Sequence, residues 1–249
     1  MVDGADAGGW SHVAAGWAAL WGSFADPARV AIMNATGIEP GTRVLDAGCG
    51  SGEFLQSLQE RGALAVGADP AAEMVALARS VGVEVVMAGI EDLPLADDAF
   101  DVATAVNALQ FADDTTVALR ELGRVVRTDG YIAIANWAEG SLNDIDVVER
   151  AIADALDEEH ASDGPLRTAG GIEAAFADAG LEVVEAGVVK TPWSVRDEEM
   201  LVQGILLGED PDTIAELRSI VIAAAAPFRD DHEGFTLRNS FRWAVARVS

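Results

Sequence analysis

Residues 43–53 read Arg-Val-Leu-Asp-Ala-Gly-Cys-Gly-Ser-Gly-Glu, a short branched apolar run that breaks into three alternating glycines before a helix-forming segment. This stretch constrains the fold more than any other. The apolar run predicts a buried strand over 43–47, and the segment 53–60 predicts a helix. The glycines between them allow a turn in which backbone approaches a ligand closely. A strand, a glycine turn and a helix N-terminus form the ligand-binding corner of an open α/β sheet.

The remaining periodicities extend that corner into a sheet. Further strands are predicted over 64–68, 83–87, 100–106, 130–135 and 181–190, with a last strand over 235–248 pairing antiparallel at the sheet edge. Helices are predicted over 71–80, 113–126, 142–159 and 171–179. Strands alternating with helices of this length imply an α/β fold, a Rossmann-like seven-stranded, mostly parallel sheet with helices on both faces. Two additions flank it. Residues 10–24 predict a helix on which Trp10, Trp17, Trp21 and Phe24, spaced by seven, four and three, share one face. That face either packs on the core or closes over a ligand. Asp26-Pro27 then caps a second helix running to about Thr36. The organisation expected is an N-terminal helical lid (1–36), a core (37–194 and 228–249) and a helical cap without strands (195–227).

Charge bounds the partners. The 249-residue chain carries a net charge of −26, and Lys190 is its only lysine. Such a surface repels nucleic acid unless arginines cluster, and no cluster is visible. No apolar run is long enough for a membrane span, the first nine residues lack the basic start of a signal peptide, and a single cysteine excludes an intrachain disulfide. A cytoplasmic protein, monomeric or homodimeric, is expected.

The turn itself selects a ligand class. In a dinucleotide site the third glycine stands three positions after the second; here that position is Glu53, and a carboxylate there repels a pyrophosphate. Asp46 suits an ammonium group instead. Asp69-Pro70, about twenty residues past the first glycine, places a carboxylate for the two hydroxyls of a ribose, or for the start of the next helix. The ligand predicted has a ribose, an adenine-like ring and an amino-acid end, and no phosphate.

Val44 to Gly52 resembles motif I of the class I S-adenosylmethionine-dependent methyltransferases. Gly67-Ala68-Asp69-Pro70, Glu91-Asp92-Leu93-Pro94, Phe100-Asp101-Val102, Asn107 to Asp113 and Glu121 to Gly130 are similar, in order, to that family's later motifs, the similarity being closest to small-molecule enzymes of the ubiquinone and menaquinone type. The resemblance implies S-adenosyl-L-methionine as cofactor, S-adenosyl-L-homocysteine as product and a small-molecule acceptor, oxygen before nitrogen or carbon. It implies that Asp46, Ala47, Gly48, Cys49 and Gly50 lie around the methionine end, Asp69 at the ribose, and Pro70, Met74, Gly89, Ile90 and Glu91 around the adenine. Asn107 and Ala108 fall near the amino-acid end. Trp10, Trp17, Gln110, Phe111 and Trp137 are the candidate substrate contacts. Many members carry an aspartate where Gly89 stands, so the side-chain acceptor for the adenine amino group is either missing or replaced by Glu91. No general base and no metal site is identified. His12 faces away from the aromatic stripe, His160 follows an acidic helix end, and the side chains of Asp230-Asp231-His232-Glu233 diverge. The same scaffold also hosts rearrangements and cyclisations that leave the methyl in place, and non-catalytic cofactor sensors.

Overall fold

The structure is a computed structural model and describes residues 7–232 and 234–249; the first six residues of the expected lid and Glu233 of the acidic run lie outside the described residues. Eight elements carry the cofactor half. They are β1 (Arg43–Ala47), α3 (Glu53–Glu60), β2 (Leu64–Asp69), α4 (Ala72–Ser80), β3 (Glu84–Met87), β4 (Phe100–Val106), α5 (Thr115–Val125) and β5 (Val126–Trp137). Two helices precede them, α1 (Ala7–Leu20) and α2 (Asp26–Ala35). After β5 come α6 (Ile145–Leu156), α7 (Gly171–Asp178), β6 (Glu182–Lys190), β7 (Trp193–Val195), α8 (Glu198–Ile205), α9 (Pro211–Ala225), β8 (Phe235–Leu237) and β9 (Ser240–Arg247).

Seven strands form one sheet in the order β3-β2-β1-β4-β5-β9-β6, with β9 antiparallel to both neighbours and the β1–β5 pairings parallel. Period-two alternation sorts the side chains into two cores. From β5 and β9, Ala133, Ala135, Phe241 and Val245 face α2, α8 and α9, whereas Ile132, Ile134, Ala244 and Ala246 pack with α5 and α7. A third cluster, around Val44, Phe54, Leu55 and Val85, seats α3 and α4.

Four expectations need correction. The last strand is antiparallel but internal, because β9 pairs along both its edges and leaves β6 as the border. The segment 235–248 is two strands: β8 leaves the sheet to pair antiparallel with β7, and this small pair flanks α8 and α9. The first helix stops at Leu20, and Trp21 to Ala25 form turns, so the aromatic series bends around the body of the protein. Asp26 does not cap α2; Ala25 holds that position, and the Asp26 carboxylate instead accepts from Arg29 at 2.7 Å.

Candidate active site

The crevice lies at the carboxyl ends of β1, β2 and β4, where the sheet order reverses direction around β1 and β4. Its floor is the glycine turn. Gly48, Gly50 and Gly52 have φ of +72°, +55° and +95°, backbone that a Cβ strains. At Gly48 the reason is also steric, since an added Cβ would lie 2.3 Å from Ala108 Cβ. At Gly50 the same atom would meet nothing within 4 Å, so this peptide faces open space.

The turn is stitched to the end of β2. Gly48 and Cys49 donate their N–H groups to Ala68 O at 2.7 and 3.1 Å. Asp69 completes the join: Oδ2 accepts from Gly50 N and Oδ1 from Ala71 N, both at 2.9 Å. The carboxylate is thereby fixed in orientation, and each oxygen keeps a lone pair for a further donor. Burial raises the Asp69 pKa, while the two backbone N–H groups act against it.

Asp46 is 3% exposed. It sits opposite Thr104 in the β1–β4 register, and the Thr104 hydroxyl donates to its Oδ1 at 2.7 Å. Burial pushes this carboxyl up to about 7, opposed by the Thr104 hydrogen bond and by Arg29, and reinforced by the charges of Asp69 and Glu53. Burial also raises the Cys49 thiol well above its usual range, with the same acids adding to it, so this cysteine stays protonated and is no nucleophile. Three carboxyl groups around one turn suit a cationic ligand and oppose a phosphate.

At the end of β4, Asn107 adopts φ +55° and donates its N–H to Ala135 O at 2.7 Å. Gln110 donates Nε2 to Asn107 O and Oδ1, and its buried Oε1 has no partner. The Glu91 carboxylate accepts from Asp113 N and Asp114 N at 3.2 and 2.8 Å, ahead of α5. Gly89 is exposed and open, with nothing within 4 Å of a Cβ placed there.

The aromatic series divides. Trp10 and Trp17 are half-buried, with Trp10 edge-on to Phe111 at 5.3 Å. Ala14 packs with Ala71 and Met74, and Ser11 Oγ accepts from Glu73 N. Through these contacts α1 touches both the start of α4 and the turn after β4, bridging the two walls of the crevice. Trp21 and Phe24 are core residues. Trp21 stacks on Trp193 at 4.1 Å and 6°, and donates Nε1 to Gly204 O at 3.1 Å; Trp193 donates to Leu20 O at 2.9 Å. Trp137 packs against Phe24 and Phe241 at 4.8 and 5.2 Å, on the wall shared with this cluster. All three histidines are exposed, and among the described residues no group of three or more metal-ligating side chains occurs. Two open hollows, one beside Thr42, Asp101 and Arg127 and one beside Arg196 and Asp230, lie away from the crevice.

Residues 45–134 match the family described as Methyltransferase domain. The matched segment runs from β1 into β5. Among curated relatives, the chain is 40% identical over 107 residues to a malonyl-acyl carrier protein O-methyltransferase of Pectobacterium atrosepticum, covering 42% of each chain. It is 36% identical over 113 residues to a demethylmenaquinone methyltransferase of Mycolicibacterium paratuberculosis, covering 45% of this chain and 49% of that one. The similarity therefore spans somewhat under half of those proteins' length. Among solved structures, the 4+2 cyclase SpnF superposes with a TM-score of 0.58 at 18% identity, covering 92% of this chain and 83% of that one. That likeness concerns the fold alone. Within the matched segment, Thr104 was missed by sequence reasoning, although it is the one polar residue of the run Val102 to Val106. Outside it, Arg29 and Trp193 were missed too.

Proposed function

We propose that this chain is an S-adenosylmethionine-dependent methyltransferase that methylates an oxygen atom of a small-molecule acceptor. The observation that supports it most is the pairing of two buried, oriented carboxyls, Asp46 and Asp69, across a glycine turn that has no place for phosphate. In this reading Asp69 receives the ribose hydroxyls, and Asp46 the ammonium group. Ala47, Gly48, Cys49, Gly50, Asn107 and Ala108 surround the methionine end, and Pro70, Met74, Gly89 and Ile90 the adenine.

When bound, the cofactor supplies an electrophilic methyl on a sulfonium. The protein's contribution is to hold the acceptor oxygen in line, and effective molarities for such positioning correspond to about 7–11 kcal/mol. Helix α1 acts as a lid and residues 195–227 as a cap, excluding water above the crevice. Trp10, Trp17, Gln110, Phe111 and Trp137 line the acceptor side. With all three histidines exposed, an acceptor already ionised as a carboxylate needs no base, which agrees with the O-methyltransferase name of the relative from Pectobacterium.

Isothermal calorimetry with S-adenosylhomocysteine tests the cofactor assignment, and absence of binding refutes it. Incubation with S-adenosylmethionine and candidate carboxylates, followed by mass spectrometry, tests the reaction. A bound cofactor with an isomerised, unmethylated product would instead support a cyclase reading, the activity named for SpnF.

A further inference from the structure

An amino-acid end carries two opposite charges, and the crevice described so far answers only one of them. Asp46, Glu53 and Asp69 favour the ammonium group and repel the carboxylate beside it. A cation is needed near Asp46, and Arg29 of α2 is the one whose field acts on it. Its guanidinium lies 5.8 Å from the centre of the Phe54 ring, in the first turn of α3 directly behind the glycine turn. The connection between α1 and α2 reaches the same corner, for a Cβ on Gly22 would lie 2.5 Å from Glu53 Oε1.

The hydrogen bonding of Arg29 is one-sided. Nη1 donates to Gly22 O at 2.8 Å and to Asp26 Oδ1 at 2.7 Å. Nε is buried with no partner, and Nη2 has none among the described residues. The side chain is only 13% exposed, and a buried unpaired donor on a cation is expensive to maintain. The vacant Nε–Nη2 edge is the one that grips a carboxylate through two parallel hydrogen bonds. Gly22 and Asp26 hold the opposite edge and so set the plane of the fork.

We propose that Arg29 clamps the α-carboxylate of the cofactor's methionine end through its Nε–Nη2 edge, while Asp46 takes the α-ammonium. The inference rests on the cofactor assignment above and adds to it a residue from the N-terminal helices. It gives those helices a second task, since α2 then senses whether the amino-acid end is in place.

The test compares S-adenosylmethionine with its decarboxylated analogue by calorimetry, on the wild-type chain and on Arg29→Met and Arg29→Lys. The wild type should bind the decarboxylated analogue roughly 10- to 100-fold more weakly, the range expected for hydrogen bonds to a charged group. Arg29→Met should erase that preference, and Arg29→Lys should retain part of it. Because each comparison is made within one variant, a general loss of stability does not imitate the result. Equal affinity of the wild type for both ligands overturns the clamp, as does an Arg29→Met variant that weakens both ligands equally. Failure of the wild type to bind either compound, or S-adenosylhomocysteine, overturns the cofactor assignment itself.

Discussion

Asp46→Asn should gain stability relative to the ligand-free wild type as pH rises from 5 to 8, while weakening affinity for the cofactor. The Asp46 carboxyl rises from 3.8 to about 7 on folding, chiefly through burial. Between those two values the native state keeps a proton that the unfolded chain has released. Stability therefore falls as pH rises through this window and stays low above it. Three pH units at about 1.4 kcal/mol each make the full penalty roughly 4 kcal/mol. From pH 5 to pH 8 about two of those units are crossed, so about 2–3 kcal/mol of stability is lost to this group.

Asparagine removes the titration and keeps an oxygen to accept from Thr104. It also adds an amide N–H pair whose burial costs about 1–3 kcal/mol if unpartnered. The absolute effect of the substitution thus depends on that second cost, but its pH dependence does not. Urea unfolding of the ligand-free wild type and variant should show the variant gaining about 2–3 kcal/mol relative to wild type between pH 5 and pH 8. A difference that stays flat across this range would refute the buried-carboxyl argument. In calorimetry, wild-type affinity for S-adenosylhomocysteine should tighten with pH up to about 7, as the carboxylate ionises to meet the ammonium. The variant should bind more weakly and lose that dependence.

Asp69→Ala removes the acceptor of two backbone N–H groups, so it should lower stability by about 1–3 kcal/mol as well as weaken cofactor binding at least tenfold; unchanged affinity would remove Asp69 from the ribose role. Gly48→Ala puts a methyl 2.3 Å from Ala108 Cβ at φ +72°, which should cost about 1–3 kcal/mol by denaturant melt and distort the turn. Trp21→Ala should cost about 3–5 kcal/mol, whereas Trp10→Ala should leave the melting temperature nearly unchanged and raise KM for the acceptor. Equal stability losses for the two would dissolve the division between core and lid.

The cofactor half was legible because its signals are local. Each strand of 43–106 is dominated by apolar residues, and the turns after β1 and β2 are marked by glycine and by Asp-Pro, so sequence spacing brings Asp46, Gly48 and Asp69 together. The second half was read less well because its pairing is not local. Nothing in 235–248 says that β9 slips between β5 and β6; the signal for the border lies instead in β6, whose Glu182, Glu185 and Lys190 and largely exposed side chains suit an edge strand. Likewise, Trp193 reads as one more apolar residue, and only the fold brings it onto Trp21. The Glu91 carboxylate, four residues past β3, is taken up by unpaired backbone N–H groups ahead of α5, a contact that spacing along the chain does not reveal.

These features together explain why so acidic a protein keeps its costliest charges where it does. Asp46 and Arg29 are each unfavourable in the ligand-free fold, one as a buried carboxyl forced towards its neutral form, the other as a cation with a vacant edge. Both costs vanish with a single ligand that brings an ammonium for the first and a carboxylate for the second. A neighbouring pair of opposite charges would ordinarily relax by collapsing into a direct salt bridge, yet Arg29 is instead held by Gly22 O and Asp26, and Asp46 by Thr104. Those three anchors keep the two groups apart, and the aromatic packing of Trp21, Phe24, Trp137, Trp193 and Phe241 supplies the stability that lets them remain so. It follows that the affinity for the amino-acid end is stored in the separation of Asp46 from Arg29, not in either residue alone.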